Sequence, residues 1–117
     1  QWVTQELGCQ CQLRKKMTIQ ISPKHSFTYD GATLNVYHAN KGQGLPQHEH
    51  NFSHATMCNA GSCIVRLEGR SYTINKYSQP LNLPANEWHE LEAVEDGTVF
   101  TNVFAVDKDQ QLLPTDM

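Results

Sequence analysis

The sequence has 117 residues, of which 38% are hydrophobic and 18% charged, so it can form one hydrophobic core but not two. Nine Lys and Arg residues stand against 12 Asp and Glu residues, which gives a net charge of −3 with histidine neutral. Nucleic-acid binding needs a basic face, and this mildly acidic chain offers none, so we expect no nucleic-acid partner.

The chain divides at Met17, where the first strand-like segment begins. Residues 1–16 form an N-terminal extension of uncertain role, and residues 17–117 form the folded domain. Cys9 and Cys11 in the extension make a CxC pair without a second pair, which is only a weak signal for zinc. With Cys58 and Cys63 they are too few for a disulfide scaffold, so we expect reduced thiols.

Short strand-like segments follow one another after Met17. They are rich in β-branched and aromatic residues and are separated by glycine, proline, asparagine and aspartate. The predicted strands are 17–22, 34–39, 54–60, 62–69, 71–77, 79–84, 89–94 and 98–106. Helical periodicity is hard to find after Met17, and no repeat is visible. The pattern predicts one all-β domain, either a closed barrel or a sandwich.

No stretch of the sequence is long and apolar enough to cross a bilayer. The first 16 residues also lack the apolar middle of a secretory signal. We therefore expect no membrane partner and a cytoplasmic location.

Alternation along the segment 89–94 predicts which of its side chains are buried. Side chains on a strand point to opposite faces in turn, so His89 and Leu91 share one face and Glu90 and Glu92 share the other. Only the first of these faces is apolar enough to enter a core. We expect His89 inside the fold and the two glutamates on a solvated face.

Three more histidines, His48, His50 and His54, lie within seven positions. In an extended chain they share one face with Thr56 and Cys58, and residues at i and i+2 are roughly 7 Å apart along a strand. Four buried imidazoles without a ligand would leave polar groups unpaired, at about 1–3 kcal/mol each. A bound cation removes this cost, so the pattern favours a metal site that includes His89. The alternative is a solvated loop of inert histidines.

The spacing of these residues resembles two sequence motifs of the cupin family. The segment 42–61 begins and ends with glycine and matches the first cupin motif at every spacing, with His54 where glutamate is usual. The segment 84–89 is similar to the core of the second motif, with Asn86 where glycine is usual. The resemblance covers about residues 17–107.

This resemblance implies a single-domain cupin, an all-β barrel of the jelly-roll type with a metal near its mid-line. It implies that His48, His50, His54 and His89 are the ligands of one divalent transition metal. It further implies a pocket for a small-molecule ligand inside the barrel, and a homodimer. Imidazole ligands suit iron, nickel, copper, zinc and, less well, manganese, and the sequence does not select among them.

Three functions fit such a centre. The expected one is an oxidoreductase of the dioxygenase kind, acting on a small oxygen-rich or carboxylate-bearing substrate. The alternatives are a redox-neutral isomerase or lyase of a sugar-like compound and a binding module without turnover. An isomerase needs a group that moves a proton, and alternation offers His38, Glu68, Tyr72 and Tyr77 as candidates. The sequence assigns no catalytic residue.

Overall fold

The computed structural model describes residues 2–5, 12–15 and 17–105, the first two ranges as backbone only. The regular structure of these residues consists of strands and turns. The described residues include no helix, and therefore none that could span a membrane. The strands are β1 (Trp2–Gln5), β2 (Gln12–Lys15), β3 (Ile19–Gln20), β4 (His25–Tyr29), β5 (Ala32–Ala39), β6 (Gln43–His48), β7 (His54–Ala60), β8 (Ser62–Leu67), β9 (Arg70–Asn75), β10 (Leu81–Leu83), β11 (His89–Ala93) and β12 (Thr98–Ala105).

Ten of these strands form two five-stranded sheets. The first sheet has the order β10-β7-β12-β5-β4 and the second the order β3-β6-β11-β8-β9. The neighbours are antiparallel except for the parallel pair β3 and β6. The all-β jelly roll expected from the sequence is confirmed. β1 and β2, within the N-terminal extension, pair with each other, and the division of the chain at Met17 stays a prediction.

The core lies between the inner faces of the two sheets. Tyr37 on β5 and Phe100 on β12 are fully buried and stack, with ring centroids 4.8 Å apart. Leu45, Val65 and Leu91 are buried in the same cluster from the second sheet. Each such side chain contributes about 1.5–3 kcal/mol through its burial. Both sheets therefore contribute to the core.

Two strands of the domain, β4 and β6, are absent from the predicted set. β6 has the sequence QGLPQH, whose glycine and proline indicate a turn. A Cβ atom at Gly44 would collide with the carbonyl oxygen of Leu91 on β11, so glycine here permits close approach of two strands. β4 is an edge strand with every residue exposed, and burial therefore leaves no alternating pattern in its sequence.

The expectation that Glu90 and Glu92 lie on a solvated face is wrong. Glu90 is 3% exposed and Glu92 is 9% exposed, because β11 is the central strand of its sheet and its outer face is covered. The Thr18 hydroxyl donates to Glu90 at 2.5 Å, and Arg66 lies 3.5 Å from Glu90 and 2.8 Å from Glu92. The carboxylates are buried because a hydroxyl and a guanidinium satisfy them.

Candidate metal centre

The four histidines come from three strands and one loop at the same end of the interior. β6 ends at His48, β11 begins at His89, and these two residues are direct register partners. β7 in the opposite sheet begins at His54. His50 lies in the loop that joins β6 to β7. The chain is therefore not extended from 48 to 58, although His54, Thr56 and Cys58 share a buried face as expected.

The structure brings all four imidazole rings together. Ring centroids of His48, His50 and His54 lie 4.4, 4.9 and 5.1 Å from that of His89. His48, His50 and His89 can each offer one ring nitrogen within 4.8 Å of the others, a set that could hold a metal ion. His54 is outside this set, but its Nε2 is 3.4 Å from Nε2 of His89. The ligand role of each histidine stays a prediction.

Backbone carbonyls fix the tautomers of three of these rings. The Nδ1 atoms of His48, His50 and His89 lie 2.6, 2.8 and 3.2 Å from the carbonyl oxygens of Pro46, Phe52 and Glu87. A carbonyl oxygen only accepts, so each Nδ1 carries the proton and donates it. Each Nε2 therefore keeps its lone pair, the form of imidazole that binds a metal.

His54 reaches the same tautomer through two side chains. The Thr56 hydroxyl donates to Oδ1 of Asn102 at 2.6 Å, so its oxygen is left to accept from Nδ1 of His54 at 3.2 Å. Nε2 of His54 then carries a lone pair that faces the lone pair on Nε2 of His89. Two such atoms repel each other unless a cation lies beside them.

Unpartnered nitrogens test whether these residues fit a metal ion. Nε2 of His48 and Nε2 of His50 are buried and have no hydrogen-bond partner. A buried polar atom without a partner costs about 1–3 kcal/mol. Both nitrogens carry lone pairs, which is the donor type that a divalent transition metal requires. The residues present therefore fit a metal.

The electrostatics keep His50, His54 and His89 neutral at pH 7. Burial, followed by repulsion from His89, His50 and His48, lowers the pKa of His54 to about 3. Burial, followed by repulsion from His48 and His50, lowers the pKa of His89 to about 4. Burial is also the main reason why the pKa of His50 is lowered. Neutral imidazoles can bind a metal without first releasing a proton.

Two contacts hold the His50 loop in place. The Phe52 ring stacks on His50 at 4.3 Å between centroids and lies 5.2 Å from Phe104 on β12. The backbone N–H of Asn86 donates to the carbonyl oxygen of His50 at 2.8 Å. Asn86 has a φ of 63°, a conformation that glycine adopts freely and asparagine tolerates. Asparagine can therefore replace the usual glycine here without disturbing the loop.

Solved structures with this architecture include three from other organisms. The chain aligns with a cupin-2 domain-containing protein from Shewanella frigidimarina at 8% identity and a TM-score of 0.58, covering 73% of this chain and 83% of that chain. A cupin protein from Bacteroides fragilis aligns at 15% identity and a TM-score of 0.55, covering 68% and 70%. KdgF from a Halomonas species aligns at 17% identity and a TM-score of 0.55, covering 76% and 93%.

The chain has the cupin fold. No family model and no curated protein matches the sequence, so the likeness to these cupin structures is one of fold. Within this fold the histidines of the first motif and the histidine of the second converge, as their spacing predicted.

None of the four proton-moving candidates lies inside the cupin barrel. Glu68, Tyr72 and Tyr77 are exposed. His38 lies outside the barrel, because the buried residues of β5 are the odd-numbered ones and His38 is exposed. It contacts His25 on the outer face, with ring centroids 6.1 Å apart.

Cys58 shares a face with His54 but makes other contacts. Its thiol donates to the carbonyl oxygen of Ala60 at 3.3 Å, and burial raises its pKa. Burial also raises the pKa of the adjacent Cys63 thiol, and both cysteines are free. They are unreactive buried thiols, as expected for reduced cysteines. Cys9 and Cys11 lie outside the described residues.

Sequence reasoning missed the residues that fix the ring tautomers. Alternation predicts Thr56 on the histidine face but assigns no role to it or to Asn102. The signal was present, because an asparagine in the middle of the apolar segment TVFTNVFA is unusual in a buried strand. The carbonyl acceptors leave no trace in side-chain identity, so the sequence could not reveal them.

Proposed function

We propose that the protein binds one divalent transition metal through Nε2 of His48, His50 and His89, with His54 as the fourth ligand. The observation that carries this proposal is the convergence of four ring nitrogens whose partner nitrogens are all protonated and hydrogen-bonded. Four neutral ligands leave the ion's charge uncompensated, which favours anionic oxygen ligands at its remaining positions. Imidazole nitrogens are ligands that suit iron, manganese, nickel, zinc and copper.

We further propose that the protein is an oxidoreductase of the dioxygenase kind, with a small oxygen-rich or carboxylate-bearing substrate. When bound, the metal supplies Lewis acidity and, for iron, manganese or copper, a redox centre. The exposed positions of His38, Glu68, Tyr72 and Tyr77 support this choice over an isomerase or lyase. Those reactions need a residue that moves a proton to or from the substrate.

The protein's own residues have distinct tasks in this function. Hydrogen bonds from Nδ1 orient the histidine rings before any ligand binds. Phe52 packs against His50 and reaches towards Phe104, so the two phenylalanines limit access of water on this side. The cytoplasmic location remains a prediction.

Metal content tests the proposal first. Protein made without a histidine tag and with ample metal supply should hold one transition-metal ion per chain by elemental analysis. Replacing His50 or His89 by alanine should reduce the bound metal at least tenfold. His38→Ala, which removes an exposed imidazole outside the cluster, is the matched control and should retain the metal. Protein without metal, or equal loss in all three variants, would refute the proposal.

Oxygen uptake separates the reaction classes. The metal-loaded protein is mixed with small enols and hydroxy acids while dissolved oxygen is recorded. Consumption that His89→Ala abolishes supports the oxidoreductase. Turnover of a sugar-like compound without oxygen uptake would instead establish the isomerase or lyase, and binding without turnover would establish the binding module.

A further inference from the structure

In the part of the chain that the structure describes, three buried side-chain polar atoms lack a hydrogen-bond partner. Two of them are the Nε2 atoms of His48 and His50, at the metal centre. The third is Nδ2 of Asn35, a residue that is fully buried on β5. Its Oδ1 accepts a hydrogen bond from the Ser26 hydroxyl at 2.5 Å, so the unsatisfied group is the N–H donor alone.

Asn35 belongs to a row of polar residues that crosses the first sheet. Its register partner on β12 is Asn102, whose register partner on β7 is Thr56. All three residues have 0% exposure. Thr56 contacts both Asn102 and Nδ1 of His54. The row therefore runs along the inner face of the sheet from β5 to the metal centre.

The surroundings of this row are apolar, which makes its polarity informative. The neighbouring inner positions on the same strands are Tyr37, Phe100 and Phe104, all of them buried. Backbone pairing holds these strands together without any help from the amide of Asn35. A leucine at this position would avoid burying an unpaired donor. A buried donor without a partner in a native fold calls for an acceptor from outside the chain.

We propose that Nδ2 of Asn35 donates a hydrogen bond to an oxygen atom of the ligand that the metal centre binds. This inference rests on the proposed function and narrows its substrate class. Two strand spacings separate the β5 and β7 backbones by about 10 Å, so the ligand needs a chain of several atoms between its two ends. One end carries oxygens that coordinate the metal, and the distal end carries a carboxylate or carbonyl oxygen.

Two probe compounds with the same coordinating end test the distal contact. The protein is loaded with Co²⁺, and its affinities for 2-hydroxybutyrate and 2-hydroxyglutarate are measured by calorimetry and by the Co²⁺ absorption bands. Both probes offer a hydroxyl and a carboxylate to the metal, but only 2-hydroxyglutarate has a distal carboxylate. We expect wild type to prefer 2-hydroxyglutarate at least tenfold.

The variants Asn35→Leu and Asn35→Ala should lose this preference and bind 2-hydroxybutyrate and Co²⁺ like wild type. Ser26→Ala is the matched control, because it removes the partner of Oδ1 and leaves Nδ2 in place. It should keep the preference. No preference in wild type, or an unchanged preference in both Asn35 variants, overturns the inference while leaving the metal site intact. A wild type that fails to bind Co²⁺ refutes the proposed function, and the inference with it.

Thermal unfolding of the metal-free protein distinguishes ligand binding from a structural role. If Asn35 served only to stabilise the fold, its replacement by leucine would lower the Tm. Leucine has the same number of side-chain heavy atoms and the same branching as asparagine but no donor to bury, so we expect the Tm of Asn35→Leu to equal or exceed that of wild type. The alanine variant covers the case in which leucine does not fit. Loss of folding in both variants would assign Asn35 to the core and overturn the inference.

Discussion

Acidification should destabilise the metal-free protein from about pH 6.5 downwards, before exposed carboxylates begin to titrate. The pKa of His54 is about 3 in the folded protein, against 6.5 in an unfolded chain. The unfolded state therefore takes up a proton as the pH falls through 6.5, whereas folded His54 stays neutral. Since the unfolded state binds more protons, the free energy of unfolding falls as the pH falls from about 6.5 to about 3.

The size of this effect follows from the same two pKa values. Each pH unit below 6.5 removes about 1.4 kcal/mol for one such group, so His54 alone lowers the free energy of unfolding by about 2 kcal/mol between pH 7 and pH 5. His89, with a pKa of about 4, acts in the same direction. Urea unfolding with a chelator present, followed by fluorescence at both pH values, measures the difference.

A variant without the titrating ring isolates this contribution. Between pH 7 and pH 5 the free energy of unfolding of His54→Gln should fall by about 2 kcal/mol less than that of wild type. His38→Gln, on the exposed outer face of β5, should retain the full acid sensitivity. A metal-free wild type that is equally stable at the two pH values would show that the four rings are not buried together.

Three further outcomes are expected. Thr56→Val removes the acceptor that holds Nδ1 of His54 and should weaken metal binding by about 10–100-fold while folding is kept, measured by competition with a chelator. Gly44→Ala places a methyl group against the carbonyl oxygen of Leu91 and should destabilise the protein by about 1–3 kcal/mol in urea unfolding. The outer face of the first sheet exposes Phe27 and Tyr29, so Phe27→Glu should dissociate the predicted homodimer. Analytical ultracentrifugation of wild type and variant at equal concentrations measures this, and a monomeric wild type would refute the dimer.

The convergence of the histidines could be predicted because it depends on spacing and alternation. His54 and His89 are the first residues of strands whose apolar pattern is clear, and alternation places both inside the fold. Alternation also predicts His50 on this face, but His50 lies in a loop and not on a strand. Its ring reaches the cluster from a loop held by Phe52 and by the N–H of Asn86.

The errors share one physical cause, which is that alternation shows which residues share a face but not what covers that face. His38 is a candidate for the pocket because it shares a face with the apolar Leu34 and Val36, yet the inner face of β5 is the one that carries Asn35 and Tyr37. Glu90 was placed outside because it is charged, and only its contacts with Thr18 and Arg66 explain its burial. Both cases need tertiary contacts that the sequence of one strand does not contain.

The histidine rings of the metal centre are oriented in two ways, which differ in their sensitivity to a shift in strand register. The carbonyl partners of His48, His50 and His89 lie two residues away along the chain, so these tautomers depend on local backbone alone. His54 depends instead on Thr56 and, through it, on Asn102 of the neighbouring strand. A shift in the register between β7 and β12 would therefore release His54 and leave the other three rings oriented. The same Asn102 is the register partner of Asn35, so the proposed ligand contact lies one strand away from the residue that orients His54.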